Sequence, residues 1–357
     1  MPAIAPALRD AYELDLKGFG LLIAAGGLGL TVALLPWGFV ADRIGERRAL
    51  AFGLGGCGVF LGSLTLVDSF LPAAVLLALA GASGASVQSA SGRAVMAWFG
   101  PEERGLAFGV RQTAVPLGGV VAALVLPALA RRHGVDAAFL FLACFCVLGA
   151  LIGAAVIREV PEEHVQPEDV EWTLHDRRLW LLSGASASYV AAQIVTFSFL
   201  VLFLHDARGL APKSAAAALA AVHALALVLR VLVGHWSDVL RSRIVPLRLI
   251  GIASFASLAT AALILGAPLT VVVPLLVAAG AISAAWNGLA FVAAAELAGR
   301  ARSGAAIGFQ QTVLGAAAVA VVPVFAAVVQ ASSWRVGFAL AALAPLVGWV
   351  MLGRLRV

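Results

Sequence analysis

Apolar residues run along this chain in long blocks, separated by short charged or turn-rich gaps. A helix rises about 1.5 Å per residue, so about 20 residues cross the roughly 30 Å of a bilayer's hydrocarbon core. Eleven blocks reach that length, at approximately 18–41, 49–67, 71–97, 105–129, 136–157, 179–204, 213–236, 245–266, 270–296, 303–329 and 334–353. One long polar break, "REVPEEHVQPEDVEWTLHDRR" at 158–178, divides five spans from six. The expected fold class is therefore all-α, a polytopic membrane protein of eleven spans, with halves at 1–157 and 179–357 joined by a central loop at 158–178.

Composition agrees with the pattern. The chain is 62% hydrophobic and only 12% charged, outside the range of a soluble domain. Its net charge of +5 comes almost entirely from arginine, since Lys17 and Lys213 are the only lysines. Arginines gathered in short loops explain that charge, and no nucleic-acid partner is needed. If the "DRIGERR" gap at 42–48 is cytoplasmic, its side of the membrane carries twice as many basic residues as the other. The expected location is the plasma (inner) membrane, with the N-terminus as given extracytoplasmic and the C-terminus cytoplasmic. Cys57, Cys144 and Cys146 fall within apolar runs, where thiols pack as small hydrophobes.

The chain repeats itself. "GVRQT" at 109–113 returns as "GFQQT" at 308–312, and Gly81, Gln88 and Gly105 correspond to Gly280, Asn287 and Gly304 at the same spacing. Gly38 and Asp42 of "GFVAD" correspond to Gly234 and Asp238 of "GHWSD". Two parallel halves follow. The counterpart of the span at 179–204 would end near residue 8, so the first half is expected to lack its first helix and keep only its tail, "MPAIAPAL". A start codon placed too late, or a truncated product, is the expected cause, ahead of a functional eleven-helix protein. No basic start followed by an apolar core marks a signal peptide there.

Six-plus-six parallel halves, with a charged latch after the second helix and a weaker copy after the eighth, resemble the major facilitator superfamily (MFS) of secondary transporters. That family's latch reads glycine, three residues, aspartate, arginine, one residue, glycine, then two basic residues. Gly38, Asp42, Arg43 and Gly45 fit, Glu46 replaces the first basic residue, and Arg47 and Arg48 follow. The second copy keeps Gly234 and Asp238 but has Val239 in place of the arginine. The resemblance covers nearly the whole chain and implies an MFS-type bundle of twelve helices. It also implies that the latch holds the cytoplasmic side closed in one state and opens in the other. In physical terms the arginines bind headgroups, Gly38 permits close helix approach, and Asp42 can accept hydrogen bonds from a neighbouring helix N-terminus. The plainer alternative is a loop that only sets orientation.

Polar groups within the spans are the candidates for substrate chemistry, because a mid-helix arginine costs about 2.5–3.5 kcal/mol on insertion scales. Arg111 lies roughly 10 Å into its helix beyond Arg104. Its repeat partner is Gln310, and Gln112 matches Gln311. Ser186, Tyr189, Gln193 and Thr196 share one helix face, as do Gly84, Gln88 and Ser91, with Ser283 and Asn287 as the repeat equivalent beside Trp286. By the resemblance, which places the first, fourth, seventh and tenth helices around the cavity, these stripes are cavity walls. The candidate substrate residues are Arg111, Gln112, Gln88, Tyr189, Gln193, Asn287, Gln310 and Gln311. Single Ser, Thr or Gln residues in spans also bond between helices, which is the competing reading. Arg93 is expected to snorkel toward "WFGPEERG", Arg230 to brace the second latch, and Glu296 to pair with Arg300 and Arg302. His223 is a candidate proton carrier or a buried neutral ring.

Three arginines and a histidine, with no mid-span Asp or Glu, favour an anion, whose carboxylate or phosphate suits a planar guanidinium. No G-x-x-x-x-G-K-[ST] loop provides for ATP, and no H-E-x-x-H provides for a metalloprotease. "VPLGG" at 115–119 falls short of the family's antiporter pattern. The expectation is a non-enzymatic monomer without cofactor or metal. It would move a small anionic metabolite through the lipid bilayer by alternating access, two halves rocking about a midplane site, with protons as the coupling ion. Proton-coupled drug efflux is the alternative within transport, and a non-transporting receptor on the same fold is the alternative outside it.

Overall fold

A computed structural model describes residues 4–14, 16–157 and 175–355. Most of the expected central loop, 158–174, lies outside the described residues. Among those described, the secondary structure is helical throughout, with no strand. In chain order the helices are α1 (Ala5–Ala11), α2 (Leu16–Ile44), α3 (Glu46–Ser63), α4 (Phe70–Gly84), α5 (Ser86–Trp98), α6 (Arg104–Arg111) and α7 (Ala114–Val156). After the central segment come α8 (Arg177–Leu202), α9 (Pro212–Val239), α10 (Ile244–Leu263), α11 (Leu269–Ser283), α12 (Asn287–Ala298), α13 (Ser303–Ala331) and α14 (Trp334–Leu352).

Ten helical runs among the described residues are long and apolar enough to cross a membrane. The longest, Arg104–Val156, holds the two spans expected at 105–129 and 136–157. They are divided only at Gly134, whose φ of 81° and ψ of 173° break the helix at a conformation that glycine tolerates. Gly45 (φ 84°) makes the same kind of break between α2 and α3. Other ends are set by caps: Asp176 accepts from the Arg178 N–H at the start of α8, Ser333 from the Val336 N–H at the start of α14, and Pro212 opens α9.

Two spans are interrupted at matching points of the repeat. The run 70–98 breaks at Ala85 between α4 and α5, and the run 269–298 breaks at Ala284–Trp286 between α11 and α12. Within a membrane, carbonyls freed by such breaks need partners from the protein.

The chain folds as two compact units, and neither is simply one half of the sequence. The first comprises Met1–Trp98, Val115–Leu174 and Ala298–Thr312; the second comprises Phe99–Ala114, His175–Leu297 and Val313–Val357. Each therefore takes in the start of one helix from the opposite half. In the first unit α2 packs along α4, with Gly29 against the Ala78 backbone and Gly81 against the Gly26 carbonyl, an approach that any side chain at those glycines would prevent. Ile4, just before α1, and Leu8 within it are buried with Leu22, Leu61, Leu77 and Leu126. In the second unit Phe199, Phe203, Phe325, Trp334 and Phe338 form an aromatic core with ring centroids 4.6–6.4 Å apart. Large apolar side chains such as Leu28, Phe52, Leu151 and Val319 are more than half exposed, as lipid-facing residues should be.

Candidate functional site

The sequence repeat builds one helix crossing inside each unit. In the first, Gly38 of α2 meets Gly304 at the start of α13; a Cβ on Gly38 would lie 2.6 Å from the Gly304 carbonyl oxygen. Four residues along each helix, Gly308 lies against the Leu34 carbonyl. In the second unit Gly234 of α9 meets Gly105 of α6, and a Cβ on Gly109 would lie 2.6 Å from the Arg230 carbonyl oxygen. Glycines four apart bring the backbones together, and each crossing is then fixed by a carboxylate.

Asp42 accepts from the backbone N–H groups of Gly304 (2.9 Å) and Ala305 (2.7 Å). Asp238 accepts from those of Gly105 (2.9 Å) and Leu106 (2.7 Å). Both carboxylates thus satisfy N–H groups at a helix start, where backbone donors lack helical partners and the dipole favours negative charge. The cations differ. Arg93 of α5, its side chain 2% exposed, pairs with Asp42 (3.0 Å) and with Glu46 (3.2 Å), and also donates to the carbonyls of Arg300 and Ala301. In the second unit Arg243, just before α10, pairs with Asp238 and with Glu296 (3.1 Å), donates to Ser237 and the Pro101 carbonyl, and leaves Arg104 4.0 Å from Glu296. Burial works against the charge on Arg243, but its hydrogen bonds and the charges of Glu296 and Asp238 outweigh this and raise its pKa above the ordinary arginine value. A cavity of about 1050 Å³ opens beside this clasp, walled by Glu102, Arg104, Arg241, Arg243 and Glu296.

These contacts correct two expectations. Arg93 does not snorkel toward residues 98–105; it turns inward to two carboxylates, which a guanidinium in an apolar span needs more than it needs the interface. Glu296 pairs with Arg243 and Arg104, not with Arg300 or Arg302, because α12 brings it beside the start of α10. Arg43, Arg47 and Arg48 are exposed and lie outside the first clasp's ion pairs, while Gly45 serves as the bend. Glu46, Arg243 and Arg104 were not singled out from sequence. The signals for the first two were the acidic substitution inside the latch and the arginine five residues beyond Asp238.

The other candidates fall into two groups. In the first unit, Gln311 Nε2 donates to Gln88 Oε1 at 3.1 Å, and Gln310 is fully buried. In the second, Arg111 donates to Gln112 Oε1 (3.0 Å) and its guanidinium lies 5.5 Å from the centre of the Phe108 ring. Arg230 donates to the carbonyls of Ala284 (2.9 Å) and Gln112 (3.1 Å), and its remaining nitrogen lies 3.5 Å from Asn287 Oδ1. Those two carbonyls cap the ends of α11 and α6, so this arginine repairs two helix ends at once.

Gln193 is buried, and among the described residues its Oε1 has no hydrogen-bond partner; the same holds for Nε1 of fully buried Trp286. The Tyr189 hydroxyl donates to the Leu247 carbonyl (3.0 Å), and its ring fits against Gly251 and Gly348. That places it in helix packing, with its ring 6.1 Å from that of Trp286. Ser186, Thr196 and Ser283 donate to carbonyls of their own helices. His223 is half-buried with its ring 4.4 Å from that of Phe197.

Comparison with known proteins adds a family to this geometry. A model of the Major Facilitator Superfamily matches residues 1–320. An uncharacterized MFS-type transporter of Mycobacterium tuberculosis is 35% identical over 313 residues, 87% of this chain and 70% of the relative. A hexuronate transporter of Bacillus subtilis is 23% identical over 224 residues, 59% of this chain and 53% of the relative. Among solved structures, the fucose:proton symporter FucP of Escherichia coli, in its outward conformation, superposes with a TM-score of 0.81 at 15% identity, covering 100% of this chain and 94% of that one. At that identity the likeness concerns the fold alone.

Proposed function

The chain belongs to the major facilitator superfamily, whose members are multi-pass membrane transporters and not enzymes, and from that premise we propose that it moves a small carboxylate or phosphate anion across the plasma membrane by proton-coupled alternating access. The observation that carries the anionic reading is the pair of arginines inside the spans of the second unit. Arg230 donates to two carbonyls and lies near Asn287, and Arg111 donates to the Gln112 amide beside the Phe108 ring. Two guanidinium groups within the spans, in a low-dielectric setting, favour an anion and disfavour a cation. The hexuronate transporter among the relatives handles a carboxylate, which fits.

In this reading Arg111 is the anion's charge partner and Gln112 orients it. Gln193, Asn287, Gln88, Gln310 and Gln311 supply neutral hydrogen bonds, and His223 carries the coupled proton. The two carboxylate clasps hold their helices in one state of the cycle and release them in the other. The cytoplasmic assignment of the clasps follows the bias of basic residues toward their side of the membrane.

The test is thermal stabilisation of the purified protein by carboxylates, phosphates, sugars and lipophilic cations, since a ligand of the native state raises apparent stability by mass action. Anions are expected to stabilise the protein, and Arg111→Ala is expected to abolish the shift while melting close to the parent. Stabilisation by lipophilic cations alone would instead favour drug efflux.

A further inference from the structure

A second basic site lies away from the clasps and from the arginines inside the spans. A cavity of about 490 Å³ is lined by Arg177, Arg178, Leu181, Gly353 and Arg354. It sits where α8 begins and α14 ends, at the limits of two membrane-length helices that pack on each other. That is the depth at which lipid headgroups lie. Arg178 shares its charge with Asp176, 3.1 Å away. Among the described residues, Arg177 and Arg354 form no ion pair and no side-chain hydrogen bond. Arg248 of α10 adds a further positive charge; its guanidinium stacks 4.8 Å from the centre of the Trp349 ring and approaches Gly353. Among the described residues, four arginines thus gather near one aspartate.

What descends from this pocket is as informative as its charge. Along α14, Leu340, Leu343, Val347 and Val350 are each between 46% and 53% exposed. Their spacing of three and four residues places them on one helix face, and Arg354 extends that face by four more. Trp180, one turn into α8 and 51% exposed, stands at the same end of that helix, where aromatic residues gather at membrane interfaces.

We propose that this pocket binds the phosphodiester headgroup of an anionic phospholipid, held by Arg177 and Arg354 while an acyl chain lies on the Leu340–Val350 stripe. Arginine suits the phosphate because its fork donates two parallel hydrogen bonds. A free phosphate would satisfy the arginines but leave the stripe unused, so the geometry favours the lipid. The site is independent of which substrate the protein carries.

Binding to the whole protein in neutral detergent decides it. Phosphatidylglycerol, phosphatidylcholine and soluble glycerol 3-phosphate are titrated separately and bound molecules counted by native mass spectrometry. Phosphatidylglycerol is expected to bind well ahead of the other two, and Arg177→Gln with Arg354→Gln to weaken it about thirty-fold. Arg131→Gln with Arg132→Gln, which removes two exposed arginines elsewhere, should leave it unchanged. If the pocket double variant does not fold, Arg354→Gln alone is expected to weaken binding about five-fold. Equal binding of glycerol 3-phosphate would overturn the lipid assignment in favour of a free anion. Equal binding of phosphatidylcholine, or unaltered binding by the pocket variants, would overturn the site.

Discussion

The two clasps are copies in backbone and strangers in side chain. Each crosses two helices at glycines four residues apart, and each docks an aspartate on two adjacent N–H groups at nearly identical distances. The cation is supplied differently. The first draws Arg93 from α5 and adds Glu46 from within the latch; the second draws Arg243 from the turn before α10 and adds Glu296 from α12. The position where the second helix crosses its neighbour's glycine is Leu34 in one copy and Arg230 in the other. Duplication preserved what close approach demands, because a glycine or a docked carboxylate has few substitutes. Charge placement drifted, since any arginine that reaches the same carboxylate will serve. The drift made the second unit the more basic within its spans, which is where the proposed anion chemistry falls.

The comparison can be broken in order of expected effect. Arg93→Ala leaves two carboxylates, each under a tenth exposed, without their cation, and should cost about 3–5 kcal/mol in a reversible unfolding measurement. A cost near that of Arg243→Ala would erase the claimed difference between the clasps. Arg230→Leu gives the second crossing the residue of the first, but strips partners from the carbonyls of Gln112 and Ala284. It should destabilise by about 2–3 kcal/mol, with faster amide exchange near those breaks. Arg243→Ala should cost about 1–2 kcal/mol by the same unfolding assay, because Glu296 is partly exposed and keeps Arg104 4.0 Å away, whereas Glu46 is buried with Arg93 as its cation. Gln311→Ala removes only a neutral bond to Gln88 and should cost about 0.6 kcal/mol. A loss above roughly 2 kcal/mol would mean that this pair carries more of the first unit than a neutral bond can.

Much of the architecture was legible in the chain, because spans are written as long apolar blocks and the clasps as a repeated spacing of glycine and aspartate. The expectation that Asp42 meets a helix N-terminus held, since N–H groups at a helix start are a general need. Destinations of long side chains were less legible. Arg93 and Glu46 are 47 positions apart, as Arg243 and Glu296 are 53, and nothing local reveals that packing joins them. Glu296 was assigned to Arg300 and Arg302 by nearness in sequence, and the fold gave it to Arg243. Tyr189 shared a helix face with Gln193, yet two glycines on neighbouring helices drew its ring into packing. The spans at 105–129 and 136–157 were separable because Gly134 interrupts an otherwise continuous helix.

The central claim is that Arg111 serves an anion in transit, and solute counterflow in proteoliposomes tests it most directly. Vesicles carrying the protein and preloaded with unlabelled sugar carboxylate should draw in the labelled compound from outside in a saturable overshoot, and vesicles with Arg111→Ala should not. An undiminished overshoot with Arg111→Ala, or counterflow confined to lipophilic cations, would contradict the account.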